Sequence, residues 1–183
     1  MRIIAGKLKG RTVIVPKSKL VRPTTDRNRE AIFNYLNNIF NFEDAVVLDL
    51  YAGTGALGLE AISRGAASVT FVEKNFKIYK NLLNNIKTLG VEGYAKVVKS
   101  EATKFTRDSS EKFHLILADP PFFHYDVYEV FENIFNNDLL EDNGLLIIER
   151  SIQTKEKDVN AFGAEPVRRL GDSLIYEFSK EGN

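Results

Sequence analysis

The chain has 183 residues, of which 44% are hydrophobic and 27% are charged, and its formal net charge is zero. This composition is typical of one globular domain with a sizeable core. The absence of cysteine excludes disulfides, zinc–thiolate sites and cysteine nucleophiles, and with two histidines we expect no metal site. No apolar run reaches the roughly 18 residues of a transmembrane helix, so we expect a cytoplasmic protein with no membrane partner.

The first predicted elements are two short β-prone runs, 2–5 and 11–15, which the stretch GKLKG joins into a basic hairpin. Pro16 and Pro23 bracket a linker. Thr24 and Thr25 then offer an N-cap to a helix whose apolar stripe runs from Ile32 to Phe40.

From residue 45 the sequence alternates between strand and helix patterns. The predicted strands are 45–51, 68–73, 94–100, 113–119 and 144–150, and the predicted helices include 57–64, 75–89 and an amphipathic stretch from Val127 to Phe135. In the tail, Gly171-Asp172 predicts a turn between two further strands. We therefore expect an α/β fold with a doubly wound, mostly parallel seven-stranded sheet that ends in an antiparallel C-terminal hairpin.

The charge is distributed unevenly along these elements. Residues 1–29 contain nine basic side chains and one acidic side chain, which gives this segment a formal charge of +8 and leaves −8 for the rest of the chain. Such an asymmetry favours an arm that binds a polyanion, although a solvated charged surface is an equally good explanation of a charge run taken alone.

A glycine-rich turn joins the first strand of the alternating region to its helix. Gly53-x-Gly55-x-x-Gly58 lies in the strand–turn–helix context of a nucleotide site, and Glu73 ends the next strand, where a carboxylate accepts ribose hydroxyls. Asp49 faces the same crevice, where it would repel a pyrophosphate but suit an ammonium group. The pattern therefore favours S-adenosylmethionine, which has a ribose, an adenine and an ammonium group but no phosphate. Glu101 could reach the adenine amino group, or it could be a solvated helix start.

The fourth predicted strand ends in Asp119-Pro120-Pro121-Phe122, beside the point where such sheets bind ligands. This combination suits methyl transfer to an exocyclic amine. The Asp119 carboxylate and the Pro120 carbonyl can each accept one N–H of the amine, two prolines stiffen the backbone, and Phe122 offers a ring on which a base can stack. A proline turn with a chance aromatic is the simpler alternative.

The stretches DLYAGTGALGLE, VEKN and DPPF, in this order, resemble the motifs of class I S-adenosylmethionine-dependent amino-methyltransferases. MRIIAGKLKGR and RPTTDRNREAIFNYL resemble the opening of the bacterial 16S rRNA guanine-N2 methyltransferase family. The resemblance implies a Rossmann-like fold and methylation of one guanine amino group in 16S rRNA. It also implies a monomeric cytoplasmic enzyme that acts on an assembled or partly assembled small ribosomal subunit.

The resemblance also implies roles for individual residues. The methionine part of the cofactor would be lined by Asp49, Gly53 and Gly55, and the ribose would be held by Glu73. The adenine would lie against Glu101 and Ala102, and the guanine against Asp119 to Phe122. Further cofactor-binding residues would be Tyr51, Lys74 and Asp119. Residues 1–23 would form the basic arm and linker, and 24–183 the catalytic domain with its leading helix. The expected RNA-binding residues are Arg2, Lys7, Lys9, Arg11, Arg22, Arg27 and Arg29.

Three alternatives remain open from the sequence. Related amino-methyltransferases modify DNA or RNA adenine, cytosine or a protein glutamine, and Asp-Pro-Pro-Phe does not choose among these targets. An NAD-dependent dehydrogenase shares the glycine turn but has no use for the double proline. A non-catalytic RNA-binding assembly protein would not need intact Gly53, Glu73 and Asp119.

Overall fold

The computed structural model describes residues 1–16, 26–121 and 123–180. Within these ranges the helices are α1 (Asp26–Leu36), α2 (Ala56–Arg64), α3 (Phe76–Leu89), α4 (Ala102–Asp108), α5 (Asp126–Asn136) and α6 (Lys155–Phe162). The strands are β1 (Val46–Leu50), β2 (Ser68–Val72), β3 (Ala95–Val98), β4 (Phe113–Ala118), β5 (Leu140–Ser151), β6 (Arg168–Leu170) and β7 (Ser173–Ser179). No helix in the described part of the chain is both long enough and apolar enough to cross a bilayer.

All these strands form one seven-stranded sheet in the order β3-β2-β1-β4-β5-β7-β6. The pairs from β3 to β5 are parallel, whereas β7 pairs antiparallel with both β5 and β6. The predicted mostly parallel sheet with an antiparallel C-terminal hairpin is confirmed. Strand order reverses between β1 and β4, so a crevice opens beyond the carboxyl ends of these two strands.

The core has two layers, one on each face of the sheet, because successive strand residues point to opposite sides. Val47 packs with α1, α2 and α3, and its neighbour Leu48 packs with α5 on the other face. In β4, Leu115 belongs to the same layer as Val47, and Ile116 belongs to the same layer as Leu48. The strands are therefore buried on both faces, as the near-continuous apolar runs predict.

Capping residues explain where the crevice-side helix α3 begins and ends. The side chain of Asn75 accepts hydrogen bonds from the backbone N–H groups of Lys77 and Ile78, at 3.0 and 3.3 Å. Gly90 closes the helix in the left-handed conformation. These are the ends that the sequence predicts for this helix.

Four elements differ from the sequence prediction. Helix α1 ends at Leu36, so that Ile39 at the end of the predicted stripe is 45% exposed. Strand β5 begins at Leu140 rather than at residue 144, because the polar residues 141–143 continue the strand. Helices α4 and α6 were not predicted, since α4 is only seven residues long and the buried residues of α6 are Asp158 and Phe162, an acid and a single aromatic. The predicted caps Thr24 and Thr25 lie outside the described residues.

The N-terminal segment 1–14 folds back on itself as an antiparallel hairpin. Arg2 and Thr12 form a β-bridge, and Ile3 N donates to Arg11 O at 3.0 Å. The connecting stretch GKLKG begins with a short 3-10 turn, Gly6–Leu8. Gly6 has a positive φ of 76° and lies so close to α2 that a side chain there would overlap the Ser63 carbonyl.

This segment is part of the main core. Its apolar residues Ile3, Leu8 and Val13 are buried in the same cluster as α1, α2 and the sheet. The fully buried carboxylate of Glu60 in α2 accepts the backbone N–H groups of Ile4 and Ala5 at 2.8 and 3.0 Å. The division into an arm and a catalytic domain stays a prediction, but residues 1–14 are not detached from the body of the protein.

Candidate active site at the carboxyl edge of the sheet

Three acidic side chains converge where β1, β2 and β4 end. In the sheet register Leu50 of β1 lies beside both Val72 of β2 and Ala118 of β4. Because neighbouring strands are about 4.8 Å apart, the residues that follow these strand ends are near neighbours. Glu73 and Asp119 directly follow β2 and β4, and Asp49 lies one residue before the end of β1. The sheet therefore brings together the acids that the sequence predicts for one crevice.

Glu73 is held rigidly at the end of β2. One carboxylate oxygen accepts the backbone N–H of Gly53 at 3.1 Å, and the other accepts that of Asn75 at 2.6 Å. Its side chain thus links the glycine turn of β1 to the start of α3. Each carboxylate oxygen can accept a second hydrogen bond, so the group suits a pair of vicinal hydroxyls.

Asp49 is almost fully buried beneath the glycine turn, with 1% of its surface exposed. Its carboxylate accepts the backbone N–H of Gly58 at 2.9 Å. Burial raises the pKa of this carboxyl well above its ordinary value, the Gly58 hydrogen bond opposes that shift, and the nearby Asp119 and Glu73 carboxylates raise the pKa further. A cation placed in the crevice would favour the ionised form of Asp49.

The glycine turn packs closely on the sheet. A side chain at Gly58 would overlap the ring of Phe71 in β2, so only glycine allows α2 to approach the strand this closely. Gly53 and Gly55 have φ values of 56° and 82°. This is the strand–turn–helix arrangement that the glycine pattern predicts.

Tyr51 lies between the glycine turn and the segment that follows β4. It is a non-glycine residue with a φ of 59°, a conformation that is uncommon for a bulky side chain. Its hydroxyl faces the Asp126 carboxylate at the start of α5, and burial followed by the charge of Asp126 raises the pKa of Tyr51. Tyr51 therefore joins the two loops that frame the crevice.

The Asp-Pro-Pro loop forms the other wall. Asp119 is half-buried, Pro120 is buried and Pro121 is exposed. The loop turns back where His124 N donates to the Pro121 carbonyl at 3.0 Å. Phe122, the predicted stacking residue, lies outside the described residues.

A buried ion pair, which the sequence did not reveal, supports this loop from below. Arg150 at the end of β5 donates to Asp158 of α6 at 3.0 Å, and both side chains are fully buried. Asp158 also accepts the hydroxyls of Tyr128 and Thr154, at 2.8 and 2.6 Å. A second guanidinium nitrogen of Arg150 donates to the His124 carbonyl at 3.3 Å. The ion pair thus ties the loop after Pro121 to β5 and α6.

The remaining predicted cofactor residues lie at the edge of the crevice. Lys74 and Glu101 are exposed, and Ala102 is buried at the start of α4. The side chain of Glu101 makes no capping hydrogen bond to α4. The adenine contact predicted for Glu101 and Ala102 therefore stays a prediction.

The predicted RNA-binding residues are not all at this crevice. Arg2 and Lys9 are exposed, Lys7 lies 3.9 Å from the ring centre of Tyr94, and Arg11 donates to the Thr88 carbonyl at 3.0 Å. Thr88 is at the far end of the 14-residue helix α3 from Glu73, which corresponds to about 21 Å along the helix axis. Lys7 and Arg11 therefore lie near the amino edge of the sheet.

Arg29 lies inside the protein. Its side chain is fully buried and donates to the carbonyl of Arg2, which ties α1 to the N-terminal segment, and an RNA contact of this residue stays a prediction. Charge alone did not distinguish this inward-facing arginine from its exposed neighbours. Arg22 and the side chain of Arg27 lie outside the described part of the structure.

Comparison with known proteins defines the family. A family model described as conserved hypothetical protein 95 matches residues 1–178. The chain belongs to this family. The "Ribosomal RNA small subunit methyltransferase D" of Escherichia coli (strain K12) is 39% identical over 153 residues, which cover 84% of this chain and 76% of that relative. The protein of the same name from Haemophilus influenzae is 35% identical over 81% of this chain and 78% of its own length.

Solved structures of a hypothetical protein and of a methyltransferase share the fold. A hypothetical protein of Thermus thermophilus matches with a TM-score of 0.82 at 29% identity, covering 98% of this chain and 99% of the other. Precorrin-6y C5,15-methyltransferase from Geobacter metallireducens matches with a TM-score of 0.70 at 14% identity over 91% and 94% of the two chains, a likeness of fold alone. The Rossmann-like methyltransferase fold implied by the motifs is confirmed.

The donor set of the crevice fits a cationic nucleoside without phosphate. Three acids surround the glycine turn, and burial of Asp49 makes a further negative charge there unfavourable. A pyrophosphate would add such charges, whereas the ammonium group of S-adenosylmethionine would offset those already present. Glu73, fixed by two backbone N–H groups, is suited to ribose hydroxyls.

Proposed function

We propose that this protein is an S-adenosylmethionine-dependent methyltransferase that modifies the exocyclic N2 amino group of a guanine in 16S rRNA. The observation that carries the proposal is the convergence of Asp49, Glu73 and Asp119-Pro120-Pro121 on one crevice in a chain related to rRNA methyltransferases. The family resemblance favours a monomeric cytoplasmic enzyme that acts on the assembled or partly assembled small subunit.

The cofactor side of the crevice would work through two contacts. Glu73 would accept the ribose hydroxyls, because Gly53 and Asn75 hold its carboxylate in place. Asp49 would lie beside the ammonium group. S-adenosylmethionine supplies an electrophilic methyl group on a sulfonium centre.

The target side would orient the amine. The Asp119 carboxylate would accept one N–H of the guanine amino group, and the Pro120 carbonyl would accept the other. These two contacts draw the nitrogen toward tetrahedral geometry and hold it in line for attack. The chain needs no strong general base, since the amine becomes acidic as it is alkylated. Phe122 remains the predicted stacking partner of the base.

The alternatives differ in the chemistry that they require of the crevice. A dehydrogenase would place a pyrophosphate against the buried Asp49, which is electrostatically unfavourable. A purely RNA-binding protein would not require the ordered contacts of Glu73. Transfer to another amine, such as that of adenine, uses the same residues and is distinguished by identifying the product.

The proposal is tested by incubating the purified protein with S-adenosylmethionine labelled in the methyl group and small subunits from a strain that lacks the protein. We expect label in N2-methylguanosine after the RNA is digested to nucleosides. For Asp119→Ala we expect a loss of more than about 90% of turnover, with a cofactor affinity close to that of the wild type. A tenfold loss corresponds to about 1.4 kcal/mol of barrier. Label in N6-methyladenosine or in protein would reject the guanine target, and no transfer to any acceptor would reject the enzyme.

A further inference from the structure

An aromatic and basic surface lies directly beside the Asp-Pro-Pro loop. It consists of Phe123 and Tyr125, which follow the loop, and Lys157 from α6. Phe123 is 55% exposed and Tyr125 is 41% exposed. We propose, on the basis of the proposed function, that this surface binds the nucleotide next to the target guanine in the RNA strand.

Phe123 has the conformation and exposure of a stacking residue. Its φ of 63° is an outlier for a bulky side chain, and such strain persists only where the surroundings fix it. Two flanking hydrogen bonds fix the conformation of Phe123. His124 N donates to the Pro121 carbonyl, and Arg150 donates to the His124 carbonyl. The result is a large apolar ring held in water next to the crevice, where a base can stack on it.

Tyr125 and Lys157 supply the complementary contact to a phosphate. The Lys157 ammonium lies 4.6 Å from the ring centre of Tyr125 and 3.3 Å from its hydroxyl. The ring of Tyr125 in turn packs against Tyr128, with centroids 5.9 Å apart, and Tyr128 donates to the buried Asp158. The ammonium and the hydroxyl are therefore presented together on a rigid support, and both are groups that commonly contact nucleic-acid phosphates.

Lys155 shows that this arrangement is specific to Lys157. Both lysines belong to α6, but Lys155 forms an ion pair with the exposed Glu165 at 2.8 Å. The charge of Lys155 is offset by that acid, whereas the charge of Lys157 is directed onto the ring beside the loop. A single-stranded RNA that delivers its guanine to Asp119 would carry the next nucleotide across Phe123, with its phosphate at Lys157.

The two lysines provide a matched test, since Lys157→Met and Lys155→Met remove the same charge from the same helix. The measurements are kcat and KM for methylation of rRNA at several salt concentrations, with cofactor affinity measured by calorimetry. We expect Lys157→Met to raise KM for RNA several-fold and to make the log–log salt dependence shallower by about 0.7, with kcat and cofactor affinity unchanged. Lys155→Met should behave as wild type. Equal effects of the two substitutions would overturn the proposal.

Phe123 is tested by Phe123→Ala and Phe123→Trp. Loss of stacking should raise KM for RNA at least about fivefold in the alanine variant, and the tryptophan variant should keep the wild-type value. Thermal unfolding of each variant verifies that the fold is intact. If the wild-type protein methylates rRNA but Phe123→Ala has the same KM for RNA, this inference fails and the proposed function stands. If wild type transfers no methyl group, the proposed function fails first.

Discussion

At the scale of single residues, Asp49 is the most unusual group in the crevice, because it is a buried carboxylate whose neighbours are also acids. Burial raises its pKa in the folded protein above the ordinary 3.8. A carboxyl with a raised pKa contributes its full stabilising effect below the ordinary pKa, and that contribution is lost as the pH rises through the folded pKa. Ionised Asp49 therefore destabilises the ligand-free protein at neutral pH.

Asp49→Asn should consequently raise the melting temperature of the ligand-free protein at pH 7, because the amide oxygen can still accept the Gly58 N–H without a buried charge. The gain over wild type should shrink as the pH falls toward 4, where Asp49 is protonated. The same substitution should weaken cofactor binding, since it removes the partner of the ammonium group. Thermal unfolding at several pH values tests this, and a variant less stable than wild type at pH 7 would disagree with it.

At the scale of secondary-structure elements, the buried Arg150–Asp158 pair joins β5, α6 and the loop after Pro121. Removing one partner of such a pair leaves an uncompensated charge and costs about 3–5 kcal/mol. We predict a loss of this size for Asp158→Ala in urea unfolding, accompanied by lower kcat because the loop loses its support. Glu165→Ala, which breaks the exposed pair on α6, is the control and should change stability little. A small loss for Asp158→Ala would mean that the pair is not a structural anchor.

The N-terminal segment is the second element whose packing can be tested. Ile3 is 3% exposed within the main core, whereas Ile14 in the same segment is 43% exposed. Truncation of a buried isoleucine to alanine costs about 2–5 kcal/mol, so Ile3→Ala should destabilise the whole domain by that amount. Ile14→Ala should change the free energy of unfolding by less than about 0.5 kcal/mol. Equal, small effects in denaturant titrations would show that the segment is detached after all.

The elements that could be predicted from the sequence have apolar residues at the regular spacing of a helix or a strand. They are also flanked by residues that mark where the element begins and ends. Helix α3 has its stripe, the Asn75 cap and Gly90, and β1 and β4 are near-continuous apolar runs. The approach of Asp49, Glu73 and Asp119 followed from placing strand ends at one edge of a parallel sheet. Helix α6 was missed because Asp158 occupies a core position, and its pairing with Arg150 depends on a tertiary contact that no local pattern encodes.

At the scale of the whole molecule, basic side chains of the N-terminal segment lie far from the candidate active site. Lys7 and Arg11 lie near the amino edge, and the crevice lies at the carboxyl edge, about 21 Å away along the 14-residue α3. An RNA that touches both regions must extend around the side of the domain. The basic segment is therefore suited to a large, structured substrate and would contribute little to binding a short strand at the crevice.

Replacing Lys7, Lys9 and Arg11 together by glutamine tests this without disturbing the buried residues of the segment. The affinity for small subunits should fall, and the log–log salt slope should become shallower by about 0.7–0.9 for each phosphate that the variant no longer neutralises. The affinity for S-adenosylmethionine should not change. If binding to the subunit and its salt slope stay the same in filter-binding assays, the basic run is a solvated surface.

The most direct measurement of the central claim is nucleoside mass spectrometry of 16S rRNA, with primer extension to locate the modified base, in a strain that lacks the protein. The strain should lose one N2-methylguanosine, regain it with the wild-type protein, and fail to regain it with Asp119→Ala expressed at the same level. An unchanged set of methylated nucleosides in the deletion strain, or full restoration by Asp119→Ala, would contradict the proposed function.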